Sequence, residues 1–69
     1  MSRLEQLREE NGYTKAEISR LLNMDFNNYN KYERGDRSIG VKTLKSLCQI
    51  YNISADYILE LTDEKKPLS

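Results

Sequence analysis

The strongest constraint on the fold of this 69-residue chain is residues 14–35, where two short helical segments are joined by a very short turn. Thr14 is a helix-capping residue, and Glu17 follows three positions later, which is the spacing of a capping box. Asp25 can cap the second segment, and Gly35 can end it because glycine readily adopts the left-handed conformation. Two short helices joined so closely must cross at a steep angle.

Five segments carry apolar residues at helical spacing, and none alternates strictly between apolar and polar residues. Four of the five begin at a residue that can cap a helix, namely Thr14, Asp25, Gly40 and Ser54. We predict helices at about residues 2–11, 14–22, 25–34, 40–51 and 54–61, with a turn at Asn23-Met24. The residues predicted to form the core are Leu4, Leu7, Ile18, Leu21, Tyr29, Tyr32, Val41, Leu44, Leu47, Cys48 and Ile58. The predicted fold class is all-α, with one domain over residues 1–61 and a short, frayed tail over residues 62–69.

The composition excludes several kinds of protein and site. Cys48 is the only cysteine and histidine is absent, so neither a disulfide nor a zinc site can stabilise so small a core. A second copy of the chain is the remaining source of stability, which predicts a homodimer. We expect no enzymatic activity, no metal and no cofactor, because general acid–base chemistry has few candidates. Without a membrane span or a signal peptide, a cytoplasmic protein with no membrane partner is expected.

The charge of the chain is unevenly distributed. The net charge is zero, which argues against nucleic-acid binding because attraction to phosphate dominates such affinity. Residues 11–45 nevertheless carry seven basic and four acidic side chains, a net charge of +3. One face can therefore be basic while the C-terminal end is acidic, although ordinary mixed surface charge explains the same counts.

Three stretches carry a resemblance to a known family. They are residues 7–14 (LREENGYT), residues 33–35 (ERG) and residues 52–59 (NISADYIL), the last extended by Leu61-Thr62-Asp63. With these motifs in register, the chain resembles the phage-repressor and Cro-like (Xre-type) helix-turn-helix transcriptional regulators. The resemblance implies a compact five-helix, lambda-repressor-like DNA-binding domain.

Five positions depart from the pattern of the family. Lys15 stands where Gln is usual, and it can reach a phosphate but is not expected to form the usual amide bridge to the recognition helix. Ser19 replaces Ala, Asn23 replaces the turn Gly, Tyr29 replaces an aliphatic residue, and Ile39 replaces Pro. Asn23 is compatible with the turn because asparagine enters the left-handed region readily.

The outward face of the third segment is the predicted reader of DNA. Asparagine is a poor residue for a helix interior, so three in one short helix require an explanation. Asparagine can bond both N6 and N7 of adenine, lysine can donate to guanine or phosphate, and phenylalanine can contact a thymine methyl group. The predicted base contacts are Phe26, Asn27, Asn28, Asn30 and Lys31. A polar, solvated helix face is the alternative explanation.

Further site residues surround this face. The predicted contacts to the DNA backbone are Thr14, Lys15, Arg34, Arg37 and Lys42, although solvation alone would also explain each of them. The family resemblance implies a partly buried ion pair between Arg8 and Glu33 that holds the first helix to the third. The predicted dimer surface is Tyr57, Leu59 and Leu61, since so short a helix holds more apolar residues than it can bury.

The resemblance implies sequence-specific binding of double-stranded DNA by a dimeric transcriptional regulator, a repressor in the simplest case, on a two-fold operator. Two alternatives remain open. The chain could be a protein-interaction module or anti-regulator that keeps the fold without an operator, which zero net charge favours slightly. It could also be the DNA-binding half of a longer polypeptide, with the Lys-Lys-Pro of the tail as a linker. The initial Met favours a complete protein.

Overall fold

The computed structural model describes residues 2–67, and Met1, Leu68 and Ser69 lie outside the described residues. The described chain contains five helices and no strand, which confirms the predicted all-α class. The helices are α1 (Arg3–Glu10), α2 (Lys15–Leu21), α3 (Phe26–Arg34), α4 (Val41–Tyr51) and α5 (Ala55–Ile58). Helices α1 to α3 form one compact unit that ends at Ile39, and α4 and α5 belong to a second unit that starts at Gly40.

Side-chain caps explain where four of the helices begin. Ser2, Thr14, Asp25 and Ser54 each accept a hydrogen bond from a backbone N–H two or three residues further on, at 3.0–3.3 Å. Gly40 precedes α4 without a side-chain cap. The side-chain caps predicted at Thr14, Asp25 and Ser54 are therefore confirmed, and Ser2 is a fourth that was not predicted. Each satisfies a backbone donor that has no partner within its own helix.

Left-handed residues mark where the helices end. Gly35 ends α3 with φ of 80°, and Asn52 ends α4 with φ of 51°. Asn23 adopts φ of 56° in the turn after α2, as its identity predicts. Glu60, which follows α5, has φ of 63°. The sequence does not indicate a left-handed conformation at Glu60, since glutamate has no special tolerance for positive φ.

The first unit has a core formed by Leu4, Leu7, Ile18 and Tyr29, of which Ile18 and Tyr29 are completely buried. The prediction that Leu21 is buried is wrong, because 54% of its surface is exposed. Successive residues of a helix are rotated by about 100°. Buried Ser19 and half-buried Leu22 lie to one side of Ile18, and Leu21 lies to the other.

The buried residues of the second unit lie in the second half of α4, in α5 and in the segment between them. They are Leu47, Cys48, Tyr51, Ile53, Tyr57 and Ile58. The prediction that Val41 is buried is wrong, because it is 75% exposed, and the buried residues of α4 begin only at Leu47. The sequence prediction missed Ile53, which lies between the end of α4 and the cap of α5.

The C-terminal segment is attached to α5. The backbone N–H of Ser54 donates to the carbonyl oxygen of Lys66 at 2.9 Å, and Lys66 Nζ lies 3.3 Å from a carboxylate oxygen of Glu64. The described part of the tail is thus joined to the start of α5 at Lys66. None of the helices in residues 2–67 has the length and apolar character needed to cross a bilayer.

Candidate nucleic-acid interface

Helix α3 has a buried side and an exposed side. Tyr29 and Glu33, one helical turn apart, are 0% and 7% exposed and face the interior of the first unit. The predicted base-contacting residues Phe26, Asn27, Asn28 and Lys31 are exposed, and Asn30 is half-buried. Helix α3 therefore presents a polar face with one aromatic side chain while its opposite side is packed.

A buried ion pair holds α3 in place. Arg8 on α1 donates to both carboxylate oxygens of Glu33, through Nε at 2.7 Å and through Nη2 at 3.4 Å. The third bond of the guanidinium runs from Nη1 to the carbonyl oxygen of Tyr13, before α2, at 3.0 Å. The hydrogen bond to Glu33 raises the pKa of Arg8, so this charge persists at every accessible pH. The structure thus contains the ion pair that the family resemblance implies.

A second contact joins α2 to α3. Lys15 Nζ donates to Asn30 Oδ1 at 3.0 Å, and both side chains are half-buried. An ammonium–amide bond thus stands in place of the usual amide bridge, and the sequence analysis did not predict this bond. A lysine is long enough to cross from the first residue of α2 to the middle of α3, and it needs only a carbonyl oxygen there.

The other cations predicted to contact the DNA backbone are all exposed but differ in their side-chain partners. Arg34 Nη2 lies 2.9 Å from Asp36 Oδ2 in an exposed ion pair, which partly neutralises its charge. Arg37 Nη1 donates to Asn28 Oδ1 at 3.3 Å, and this pair too is exposed. Lys42 is exposed on α4 in the second unit.

The capping box at the start of α2 limits what Thr14 can offer. The backbone N–H of Thr14 donates to Glu17 Oε1 at 2.8 Å, and its hydroxyl oxygen accepts from the Glu17 N–H at 3.1 Å. Hydrogen bonds from the backbone N–H and from the hydroxyl group of Thr14 lower the pKa of Glu17, so a carboxylate stands at this helix start at neutral pH. Both donors of Thr14 therefore face the Glu17 carboxylate.

The three residues predicted for a dimer surface differ in exposure. Leu59 and Leu61 are 45% and 72% exposed, whereas Tyr57 is 4% exposed and belongs to the core. The expectation that Tyr57 lies on a surface available to a partner is therefore wrong, because both Tyr57 and Ile58 of the four-residue helix α5 point inward.

Cys48 is buried, and desolvation raises the pKa of its thiol. Among residues 2–67, no group of three or more histidine, cysteine, aspartate or glutamate side chains is arranged to hold a metal ion.

Comparisons with known proteins agree with this geometry. Residues 4–58 match the family described as helix-turn-helix. The chain is 42% identical over 57 residues to the HTH-type transcriptional regulator ImmR of Bacillus subtilis (strain 168), which covers 83% of this chain and 45% of that protein. It is 32% identical over 65 residues to the uncharacterized HTH-type transcriptional regulator YobD of the same organism, covering 94% and 58%. The chain thus spans about half the length of these curated relatives. No solved structure matches it significantly.

Proposed function

The chain belongs to the Xre-type helix-turn-helix family, and from this premise we propose that it binds double-stranded DNA sequence-specifically and regulates transcription. The observation that carries the proposal is the two-sided character of α3. Tyr29 and Glu33 fix one side in the first unit, and the other side is left exposed. A helix held in this way can enter the major groove without first losing side-chain packing.

The exposed residues of α3 are the proposed base readers. Asparagine and lysine side chains match the donors and acceptors on base edges, and the ring of Phe26 can contact a thymine methyl group. The set comprises Phe26, Asn27, Asn28, Asn30 and Lys31. Such a cluster at the start and middle of a recognition helix is the part that contacts base edges in helix-turn-helix complexes.

Electrostatic attraction to DNA comes from a small number of cations. Lys15, Arg37 and Lys42 are the proposed backbone contacts, with Arg34 weakened by its ion pair to Asp36. Since the whole chain is neutral, affinity for arbitrary sequences is modest. A second recognition helix must then supply much of the binding strength.

We propose that the protein acts as a homodimer through the exposed apolar residues Leu59 and Leu61. Two copies related by a two-fold axis would bind a palindromic site with half-sites about one turn of DNA apart. A dimer seated on such a site blocks access to it, which makes repression the simplest regulatory outcome. A cytoplasmic location would follow from the proposed DNA target.

Selection of bound duplexes from a random pool tests the proposal. The wild type should enrich a palindromic sequence, and its affinity should fall steeply between low and high salt. Asn27→Ala should relax the preference at one base pair of each half-site, whereas the control Gln49→Ala, an exposed change on α4, should leave the selected sequence unchanged. Failure of the wild type to enrich any sequence even at low salt would indicate a protein-interaction module instead.

A further inference from the structure

The three asparagines of α3 differ in what holds their side chains. The side-chain amide of Asn27 is exposed and forms no hydrogen bond to any other residue in the range 2–67. In contrast, Asn30 Oδ1 accepts from Lys15 Nζ at 3.0 Å, and Asn28 Oδ1 accepts from Arg37 Nη1 at 3.3 Å. Two of the three amide oxygens therefore face a cation.

The hydrogen bond from Lys15 fixes which edge of the Asn30 amide carries the oxygen and which carries the NH₂ group. The ammonium group of lysine has three donors and no acceptor, so Lys15 can bond only the oxygen of this amide. The NH₂ group then occupies the opposite edge. Both side chains are half-buried, and the bond is charge-assisted, so it is stronger than a bond between neutral groups. The Asn28–Arg37 pair has the same polarity but is longer and exposed to solvent.

This polarity conflicts with the usual reading of adenine by asparagine. In that contact the amide donates to N7 and accepts from the N6 amino group, so it needs its oxygen. An amino hydrogen approaching Asn30 Oδ1 would meet the ammonium group of Lys15, positive charge against positive charge. Guanine O6 and N7 are both acceptors, and so are phosphate oxygens. The groups that the Lys15–Asn30 pair can offer without charge repulsion are donors, namely the Asn30 NH₂ group and the remaining N–H groups of Lys15, because the second lone pair of Oδ1 lies beside the ammonium group. Such donors match hydrogen-bond acceptors.

We propose that Lys15 is a specificity-determining positioning residue: by holding the oxygen of Asn30 it makes this pair recognise hydrogen-bond acceptors, either guanine O6 and N7 or a phosphate oxygen, and reject adenine. Asn27, whose amide can turn freely, is the adenine reader. Arg37 acts on Asn28 in the same way but more weakly. The inference rests on the proposed DNA binding. It restricts the set of bases that α3 reads, because only Asn27 of the three asparagines is then free to read adenine.

The test is selection from a random duplex pool with the wild type, Lys15→Met and Asn30→Ala. Methionine keeps most of the apolar length of the lysine but removes the donors. In Lys15→Met the Asn30 amide can turn and accept from adenine, so we expect adenine to gain about five- to a hundredfold in preference at one base pair of each half-site. The double variant Lys15→Met/Asn30→Ala should lose this gain.

Lys42→Met is the matched control. It removes one positive charge from an exposed lysine that forms no hydrogen bond to an asparagine. Overall affinity and its salt dependence should fall as in Lys15→Met, while the selected sequence should stay that of the wild type. A shift in base preference that appears only in Lys15→Met therefore reports on the pair rather than on lost charge.

Asn30→Ala separates the two sources of acceptors. If the pair reads guanine, the wild type selects guanine at that base pair and Asn30→Ala loses the preference. If the pair binds a phosphate, Asn30→Ala selects the wild-type sequence and binds every sequence more weakly. Both results support the inference, and they identify which acceptor is used.

Two results would overturn the inference and leave DNA binding intact. One is a wild-type preference for adenine that disappears in Asn30→Ala, and the other is an unchanged selected sequence in Lys15→Met. Absence of any selected sequence would overturn the proposed function itself. The pair can then still be tested in the free protein by NMR. The side-chain amide signals of Asn30 must shift in Lys15→Met and not in Lys42→Met, and no shift would show that Lys15 does not hold the amide.

Discussion

Arg8 Nε lies 2.7 Å from Glu33 Oε2, and this contact joins α1 to α3 where the two side chains are 10% and 3% exposed. Removing one partner leaves the other charge buried and uncompensated, which is strongly destabilising. We expect Arg8→Ala to lower the free energy of unfolding by about 3–5 kcal/mol in denaturant titrations. The control Arg20→Ala, at an exposed position, should stay within about 0.5 kcal/mol of wild type. A melting temperature for Arg8→Ala equal to wild type would rule out a structural function for the pair.

Removing both charges of this pair should be far less harmful than removing one. Buried ion pairs replaced by apolar residues of similar volume are often neutral or stabilising. In Arg8→Met/Glu33→Leu we therefore expect most of the stability lost in Arg8→Ala to return. The backbone carbonyl of Tyr13 loses a donor in both variants, so recovery need not be complete. A double variant as unstable as Arg8→Ala would show that the loss in Arg8→Ala does not come from leaving the Glu33 carboxylate buried without its partner.

Ile18 and Leu21, about one turn apart on α2, should respond differently to truncation. Ile18 is completely buried and Leu21 is 54% exposed. Ile18→Ala should lower the free energy of unfolding by about 2–5 kcal/mol, since it removes buried methyl groups and leaves a cavity. Leu21→Ala should change it by less than about 1 kcal/mol. Thermal melts of the two variants measure this difference, and equal losses of stability in both would show that Leu21 contributes to the core.

The same pair of residues shows how far the sequence predicts the structure. Caps such as Thr14 and Asp25 and the glycine at position 35 are local signals, because each acts on backbone groups within a few residues. Leu21, the last residue of α2, and Leu22, its C-terminal cap, fit an apolar stripe equally well in the sequence. They differ by one residue, about 100° of rotation around the helix, and this rotation decides which of them faces inward. Their exposure is settled only by packing in the folded unit.

The site shows the same division between local and long-range information. The face of α3 that bears Asn27 and Lys31 follows from helical periodicity and from the family motifs. The Lys15–Asn30 bond joins residues 15 apart in sequence, and it was not predicted because lysine departs from the family pattern at that position. Tyr57 was assigned to the surface because the helix predicted over residues 54–61 holds more apolar residues than it can bury alone. In the structure α5 ends at Ile58, and Tyr57 packs in the core.

Glu60 adopts φ of 63° just after α5, a conformation that costs a residue with a side chain about 1–2 kcal/mol. Glycine has no such penalty but is more flexible in the unfolded chain, which offsets part of the gain. We therefore expect Glu60→Gly to raise the free energy of unfolding by up to about 1 kcal/mol. Asn52→Gly, at φ of 51°, is the matched control and should gain less, because asparagine already tolerates this region. A loss of stability in Glu60→Gly would show that the side chain compensates for the strain.

The capping box of α2 should make part of the stability depend on pH. Hydrogen bonds from Thr14 lower the pKa of Glu17 below its ordinary value of 4.5. Since the folded-state pKa is depressed, the contribution is present above the unfolded-state value and is lost as the pH falls through the folded-state value. Wild type should therefore be more stable than Glu17→Gln at pH 7, and the difference should shrink as the pH falls below about 4. Denaturant titrations of both proteins across this range measure it, and NMR titration of the Glu17 carboxyl should give a midpoint below 4.5. A stability difference that does not vary with pH would show that the charge of Glu17 does not stabilise the start of α2.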